Sequence, residues 1–190
     1  MGWQEVKKMP NIFEAVTNTL KTLVVDESNS PLHTGEVTSC WTYYTSIKEF
    51  IRFEEVGLNT TVDDEVREML TDAIKLCEKQ VTQLEEFMKK EGIPLPELPA
   101  SKPASDPNDI PLGAKSTDDE ITNGVGIKVA TAIMQCATGQ AQSIRNDLGL
   151  MWVKFHLEMV TFGTTLKTLM QKRGWIRVPP YYYPPGMPKQ

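Results

Sequence analysis

The prolines of this chain constrain its fold more than any other sequence feature, because they are unevenly distributed. Six of the thirteen prolines lie between Gly92 and Ser116, and five lie in the last 12 residues. None lies in residues 32–93 or 112–178. Since proline interrupts helices, two long proline-free blocks predict long helices, joined and followed by irregular chain.

The first block divides into two amphipathic helices. Apolar residues spaced three and four apart predict helix A over 34–56, with Gly57 closing it. The same spacing predicts helix B over 62–91, capped by Thr61. The expected buried stripes are Val37, Cys40, Trp41, Tyr44, Ile47, Phe50 and Ile51 on helix A, and Val66, Leu70, Ala73, Cys77, Gln80, Leu84 and Phe87 on helix B.

The second block divides in the same way. Thr117 and Glu120 have the spacing of a capping box and predict the start of helix C. The turn-forming run 146–149 predicts a break, after which helix D, capped by Asp147, ends at about Arg173. The expected buried stripes are Gly126, Ala130, Ile133, Ala137, Gln140 and Ile144 on helix C, and Trp152, Phe155, Met159, Phe162, Leu166 and Leu169 on helix D.

Four stripes of this length predict an all-α four-helix bundle. The short A–B and C–D connections make each pair an antiparallel hairpin. The B–C linker, residues 92–116, can span ~80 Å when extended, whereas helix B is ~45 Å long. The linker can therefore cross the whole bundle and make B and C parallel, the one-crossover topology of ferritin-like bundles. A loop at one end of an up-down-up-down bundle is the alternative.

The chain is expected to have three parts. Residues 1–31 comprise a short amphipathic helix, over about 10–25, and a linker. This helix packs either on its own bundle or on that of a partner. Residues 32–175 form the bundle, and residues 176–190 form an extended tail.

Composition excludes several classes of protein. The 20 basic and 25 acidic side chains give a net charge of −5, without the basic surplus of a nucleic-acid-binding protein. No apolar run approaches the ~20 residues that span a bilayer, and the N-terminus lacks the apolar core of a secretory signal. Cys40, Cys77 and Cys136 form no C-x-x-C pair, so buried thiols in a reducing, cytoplasmic compartment are expected.

The sequence predicts no metal centre and no enzyme. Di-iron bundles use Glu-x-x-His motifs, but Ser30 and Val153 stand three residues before the two histidines, His33 and His156. No acidic residue is expected at a central position of any stripe. Phosphate-binding loops and nucleophile motifs are also absent from the sequence, so no cofactor is predicted.

Two glutamines are candidates for an interior polar pair. Gln80 and Gln140 lie on the expected stripes of helices B and C. Their amides would hydrogen-bond across the core and fix the register of the helices, as a single buried polar residue does in coiled coils. The alternative is a polar pocket for a small ligand.

The C-terminal tail is the most distinctive segment and a candidate partner-binding surface. Prolines on both sides of a tyrosine run favour an extended strip with projecting rings. Such a strip would bind an acidic or aromatic partner surface or cross-link through tyrosine. In the alternative, Trp175 and Ile176 fold back as a lid on the end of the bundle and the rest of the tail is loose. The candidate residues are Trp175, Arg177, Tyr181, Tyr182 and Tyr183.

Several segments together resemble an uncharacterised family of endospore-forming bacteria, built from ferritin-like bundles and related to spore coat protein F. The resemblance covers residues 32–183. It rests on Glu36-Val37 with Trp41 and Tyr44, Glu91-Gly-Ile-Pro-Leu-Pro, Ser143-x-Arg145-x-Asp147 and Gly174-Trp-Ile-Arg-Val-Pro-Pro-Tyr. In that family a histidine commonly stands where Gln80 stands here, which makes a metal role harder to transfer to this chain.

The resemblance implies a ferritin-like fold and a structural role in the spore coat, with no established activity. The protein would be made in the mother-cell cytoplasm, without secretion, and deposited in the coat. It would associate with other coat proteins or with itself as a homodimer. The alternatives are a ferritin-like metal or small-ligand binder with a degenerate site, and a redox sensor that uses Cys77 or Cys136.

Overall fold

The computed structural model describes residues 30–186, which form four long α-helices and two 3₁₀ turns. This part of the chain contains no strand, and the prediction of four helices is confirmed. The predicted helix over 10–25 lies outside the described residues. The helices are α1 (Thr34–Thr60), α2 (Asp64–Lys90), α3 (Asp118–Gln142) and α4 (Asn146–Arg173), and the turns are Pro107–Asp109 and Leu112–Ala114.

Contacts at the two ends of the bundle define its topology. At one end, the Thr61 hydroxyl donates to the carboxylate of Asp118, so α3 begins where α2 begins. At the other end, the Arg145 guanidinium binds the carboxylate of Glu91, so α3 ends where α2 ends. Helices α2 and α3 are therefore parallel, and the linker over 92–116 travels the length of the bundle.

The linker lies along α1. The Asn59 side chain donates to the carbonyl of Pro103 at 2.9 Å, and the backbone N–H of Lys102 donates to the Glu55 carboxylate at 2.8 Å. At its start, Ile93 is buried against the core. The proline-rich segment is thus fixed to the bundle surface along its path.

Three of the predicted helix ends are wrong. Gly57 lies inside α1, where a Cβ would come within 3.0 Å of the Leu70 side chain, so this glycine permits close packing with α2 rather than ending the helix. Asp63, not Thr61, caps α2 through hydrogen bonds to two backbone N–H groups, because it immediately precedes Asp64, the first residue of the helix. Arg145, not Asp147, holds the N-cap position of α4.

Other helix ends follow the sequence rules. Thr117 and Glu120 form the predicted capping box of α3. His33 and Glu36 form a second capping box at α1 that the sequence rules for serine and threonine caps missed. Gly174 ends α4 in the left-handed conformation, with a φ of 73°.

The stripe predicted for α2 is confirmed, since all seven of its residues are buried. Four of the six residues predicted for α4 are buried, whereas Phe162 and Leu169 are half-buried. The stripe predicted for α1 is partly wrong, because Trp41 is 44% exposed and Tyr43 takes the interior position.

The stripe predicted for α3 is wrong in register. Ala130, Ala137 and Ile144 are exposed, whereas the buried residues lie one position earlier along the helix. Bulky rings on other helices determine which side of α3 faces the core. At Gly139, for example, a Cβ would lie 2.6 Å from the Trp152 ring, so this buried position requires glycine. The buried residues of α3 are Ile121, Thr122, Val125, Val129, Ala132, Cys136 and Gly139.

The core consists of two apolar clusters, one toward each end of the bundle. The larger holds three aromatic rings in mutual contact, with the Tyr43 ring 5.3 Å from Trp152 and 5.8 Å from Phe155. The smaller includes Val66, Leu70, Ile121, Val125, Leu166 and Met170. The boundary between the clusters contains polar groups, which are the first candidates for a site.

Candidate functional site

A hydrogen-bonded polar network crosses the larger cluster at Gln80, which is fully buried. Its Oε1 accepts from the Tyr43 hydroxyl at 2.7 Å, and its Nε2 donates to Glu158 at 2.9 Å and to the Phe155 carbonyl at 3.4 Å. Lys79 in turn pairs with Glu158 at 2.6 Å. Both ends of the amide are thus used within the protein, an arrangement that joins α1, α2 and α4 and leaves no polar atom for a ligand.

The predicted pairing of Gln80 with Gln140 is wrong. Gln140 is exposed on α3, because the register of that helix turns it away from the core. The two amides do not share an interior layer. Gln80 instead takes its partners from α1 and α4.

A buried carboxyl that the sequence did not predict lies at the boundary of the two clusters. Glu54 is 2% exposed, and its Oε2 has no hydrogen-bond partner within the described residues. Burial raises the pKa of Glu54 to about 8, although the positive charge of Lys128 opposes this shift. Glu54 lies three residues after Ile51 and continues the buried stripe of α1. The helical spacing therefore indicated that this carboxyl is buried, although its charge argued against it.

Lys128 is the cationic neighbour of this carboxyl and is itself partly withdrawn from water. Its Nζ lies 3.8 Å from the centre of the Phe53 ring and 4.9 Å from that of Phe50. Burial lowers its pKa to about 8, and the negative charge of Glu54 opposes this shift. The two rings therefore stabilise a lysine that burial destabilises.

A cavity of ≈ 10 Å³ is lined by Glu54, Cys77 and Lys128 among apolar side chains. That volume is about what one water molecule needs. It is too small for an organic substrate or a cofactor. We therefore expect Glu54 and Lys128 to affect the stability of the fold and its dependence on pH, and not to bind an organic ligand in this cavity.

The three cysteines are free and buried, as the sequence predicts. Burial raises the pKa of Cys40 to about 12 and that of Cys136 to about 11, and it raises the pKa of Cys77 as well. Thiolates are the reactive form of cysteine. These environments therefore do not favour a nucleophile or a redox sensor.

Residues from three of the four motifs that carry the family resemblance meet at one end of the bundle, whereas the motif that begins at Gly174 lies at the other end. The Glu36 carboxylate, 1% exposed, accepts from the backbone N–H groups of Ile144 at 2.8 Å and Arg145 at 3.0 Å. The Arg145 guanidinium binds Glu91 through two nitrogens, at 2.6 and 3.0 Å, and also pairs with Asp147. These residues join α1, α2 and the α3–α4 junction, so their role is structural.

Hydrogen bonding sets the charge state of the Glu36 carboxyl. Burial acts to raise its pKa, but hydrogen bonds from the backbone N–H groups of Arg145, His33 and Ile144 outweigh burial. The pKa therefore lies below its usual value, and Glu36 stays ionised in the folded protein.

The opposite end of the bundle anchors the start of the tail. Trp175 and Ile176 pack against the smaller cluster, and the Trp175 carbonyl accepts from the Asn123 side chain at 3.2 Å. Arg177 pairs with Asp119 at 2.6 Å. These contacts hold residues 175–177 against the bundle.

The basic residues near the tail are paired within the protein. Arg173 binds Asp63 at 2.8 Å and Glu65 at 2.7 Å, and Lys172 also pairs with Glu65. With Arg177 paired as well, these three positive charges are largely neutralised by the bundle. Positive charge is therefore a weak basis for binding an acidic partner.

The tyrosine run remains at the surface. Tyr181 and Tyr182 are 78% and 82% exposed, and Tyr183 is 43% exposed. Residues 175–184 form neither helix nor strand. The three rings are therefore accessible to solvent, next to a segment that is anchored to the bundle.

Residues 30–186 contain no cluster of three or more histidine, cysteine, aspartate or glutamate side chains that could hold a metal ion. None of the helices formed by these residues is long and apolar enough to cross a membrane. His156 is half-buried on α4.

Comparison with known proteins gives consistent matches. The profile of the family described as "Protein of unknown function (DUF3231)" matches residues 21–187. A relative, "Uncharacterized protein YvdQ" of Bacillus subtilis (strain 168), is 29% identical over 154 residues, which are 81% of this chain and 91% of that protein. The crystal structure of a "putative spore coat protein" from Bacillus halodurans C-125 matches with a TM-score of 0.80 and 34% identity, over 83% of this chain and 99% of that one.

Proposed function

This chain belongs to the DUF3231 family, and we propose that it is a non-enzymatic structural or assembly protein of the bacterial spore coat. The observation that carries the coat role is the likeness to the Bacillus halodurans protein, which extends over nearly all of that chain. Synthesis in the mother cell, deposition in the coat and kinship to ferritin-like bundles are parts of the same proposal.

The interior of the bundle supports a structural function. The polar groups around Gln80 are bonded to one another, and Glu54 and Lys128 line a cavity of only ≈ 10 Å³. Binding energy for a partner must therefore come from the surface. Association with other coat proteins, or with a second copy of this chain, is the function that such a molecule supports best.

The tail, taken as residues 176–190, is the proposed contact with other coat proteins. Trp175 and Arg177 fix its start to the bundle, while the rings of Tyr181, Tyr182 and Tyr183 are exposed. Anchoring near the rings lowers the conformational entropy that the tail loses on binding. The aromatic rings supply the contact area, because the nearby charges are already paired.

Deletion of residues 177–190 is expected to leave the bundle folded and to reduce deposition in the coat. The only ion pair lost among the described contacts is the exposed one between Arg177 and Asp119, so the melting temperature should shift by less than ~4 °C. Circular dichroism measures the fold, and immunoblots of coat extracts measure deposition.

Two full-length variants distinguish the contribution of the tyrosine rings from that of the length of the tail. Replacing Tyr181, Tyr182 and Tyr183 together by serine should reduce deposition as much as the deletion, whereas replacing them by phenylalanine should preserve most of it. Undiminished deposition of both the deleted chain and the serine variant would count against the proposed role of the tail.

A further inference from the structure

The exposed residues of α3 differ from those of α2 in charge. Of the eleven exposed residues of α2, ten are charged and the other is Thr82. Of the nine exposed residues of α3, only Glu120, in the first turn, is charged. The remaining eight are Ile127, Ala130, Met134, Ala137, Thr138, Gln140, Ala141 and Gln142.

Two large apolar side chains project from this uncharged surface. Ile127 and Met134 are 70% and 62% exposed and lie seven residues apart, two turns along the same side of α3. An outer helix face of a monomeric bundle normally carries charged residues, as α2 does. The outer face of α3 therefore has the composition of a covered surface.

The same surface contains a ridge and a groove side by side. Ile127 and Met134 form the ridge. A groove of ≈ 510 Å³ runs beside it between α3 and α4, where Gly126, Ala130 and Gly163 leave space because they have small side chains or none. Val160 and Thr164 complete the α4 wall. Packing of ridges into grooves is the general rule for contacts between helices.

We propose that the outer face of α3, with the adjoining groove against α4, binds the same face of a second copy of this chain in a two-fold symmetric dimer. The proposal deepens one part of the proposed function, association with itself, by naming the surface. It concerns the purified protein, so it can stand even where the coat role fails.

Two-fold symmetry suits this surface for two reasons. A two-fold axis places each patch against its own copy, so the patch must be self-complementary, and a ridge beside a groove fulfils that condition. A two-fold axis also places each charge of the patch near the same charge of the other copy, which is unfavourable. Between Glu120 and Gln142, α3 avoids this repulsion because its one charged residue is the half-buried Lys128. Among the described residues that line the groove, the charged ones are Lys167 and the paired Arg177.

The absence of charge disfavours other partners for this face. An acidic or basic protein, or a nucleic acid, is recognised by complementary charge. Helices that lie on membranes combine their apolar face with a lysine- and arginine-rich polar face. Neither pattern is present in the described part of α3.

The face is also large enough for a specific interface between two copies of the chain. The uncharged part of α3 is ~30 Å long, and with half of each neighbouring helix it is ~20 Å wide. The resulting area, roughly 600 Å² per copy, reaches the lower limit for specific interfaces. We therefore expect a reversible dimer of moderate affinity.

The test measures the molar mass of the purified full-length chain by light scattering between roughly 1 and 100 µM. The wild type is expected to reach twice the chain mass of 21.4 kDa at the upper concentrations. The double variant Ile127→Lys with Met134→Lys should show a twofold lower mass, because it opposes like charges across the axis. Both positions are exposed, so its circular dichroism should match the wild type. Its melting temperature should match at concentrations where the wild type is monomeric, because dimerisation itself raises the melting temperature.

A matched control uses two exposed apolar residues outside the face. The double variant Val62→Lys with Leu112→Lys adds the same charge and should remain dimeric, since these side chains are 67% and 87% exposed elsewhere on the surface. A monomeric wild type at all concentrations would overturn the proposal, and this includes the case in which residues 1–29 cover the face. A dimer that survives the substitutions in α3, or is lost in the control, would overturn it as well.

Discussion

Replacement of Glu36 by alanine is expected to lower the free energy of unfolding by about 3 kcal/mol, because a buried donor without an acceptor costs ~1–3 kcal/mol and this carboxylate serves more than one. The variant leaves the backbone N–H of Arg145 buried without its acceptor, and it also removes the acceptor for the backbone N–H of Ile144. Urea unfolding followed by circular dichroism measures the loss.

The control for this substitution is Glu49→Ala. Glu49 lies on the same helix and is exposed, so its removal should change the free energy of unfolding by less than ~0.5 kcal/mol. A third variant, Glu36→Gln, keeps one oxygen as acceptor and should fall between the two. Equal stability of the Glu36 and Glu49 alanine variants would show that the carboxylate does not hold the junction.

Replacement of Glu54 by methionine is expected to stabilise the protein, and to do so more strongly at pH 8 than at pH 5. The pKa of Glu54 is about 8 in the folded protein, against an ordinary value of 4.5. Between these values the folded protein keeps a proton that the unfolded chain has released. The free energy of unfolding of the wild type therefore falls as pH rises from about 5 to 8.

The size of this effect follows from the shift in pKa. One unit corresponds to 1.36 kcal/mol, so the contribution of Glu54 can reach ~4 kcal/mol at pH 8. Methionine removes this contribution and fills the same space with apolar atoms. The gain in the free energy of unfolding should be ~2–4 kcal/mol at pH 8 and smaller at pH 5, where the carboxyl is neutral in the folded protein.

Urea unfolding at pH 5, 6.5 and 8 measures this dependence for three variants. Glu54→Gln removes the titration while it keeps a polar group, so its pH dependence should be flat relative to the wild type. Glu49→Met, an exposed substitution on the same helix, should run parallel to the wild type. Parallel curves for the wild type and both Glu54 variants would contradict the assignment of the raised pKa to this carboxyl.

The helices were predictable where local rules decide the structure. The stripe of α2 was predicted correctly because its outer face is charged, which leaves one choice for the buried side. The capping box at Thr117 and the proline positions depend on a few neighbouring residues, and they defined the start of α3 and the irregular linker.

The register of α3 could not be predicted from its sequence alone. Both of its faces consist of small or apolar residues, so periodicity does not distinguish them. The interior face is selected by rings on other helices, such as Trp152, which packs against Gly139. That ambiguity is itself informative, because the face left outside is the one proposed to bind a second copy.

The polar interior depends on contacts between residues far apart in the chain. Glu54 was missed because acidic residues were expected on outer faces, although its spacing from Ile51 fits the stripe. The pair of Arg145 and Glu91 joins residues 54 positions apart, a distance that no local pattern reports. The tail tyrosines were recognised as a candidate surface from sequence, and the structure adds that the neighbouring charges are paired.

The central claim, a role in the spore coat, is tested most directly by locating the full-length chain during sporulation. A fluorescent protein is fused to its N-terminus, which leaves the tyrosine tail free, and is expressed in the mother cell of a spore-forming Bacillus. The account predicts a fluorescent ring around the developing spore that is retained in purified spores. Diffuse fluorescence through the mother cell, equal to that of the fluorescent protein alone, would contradict it.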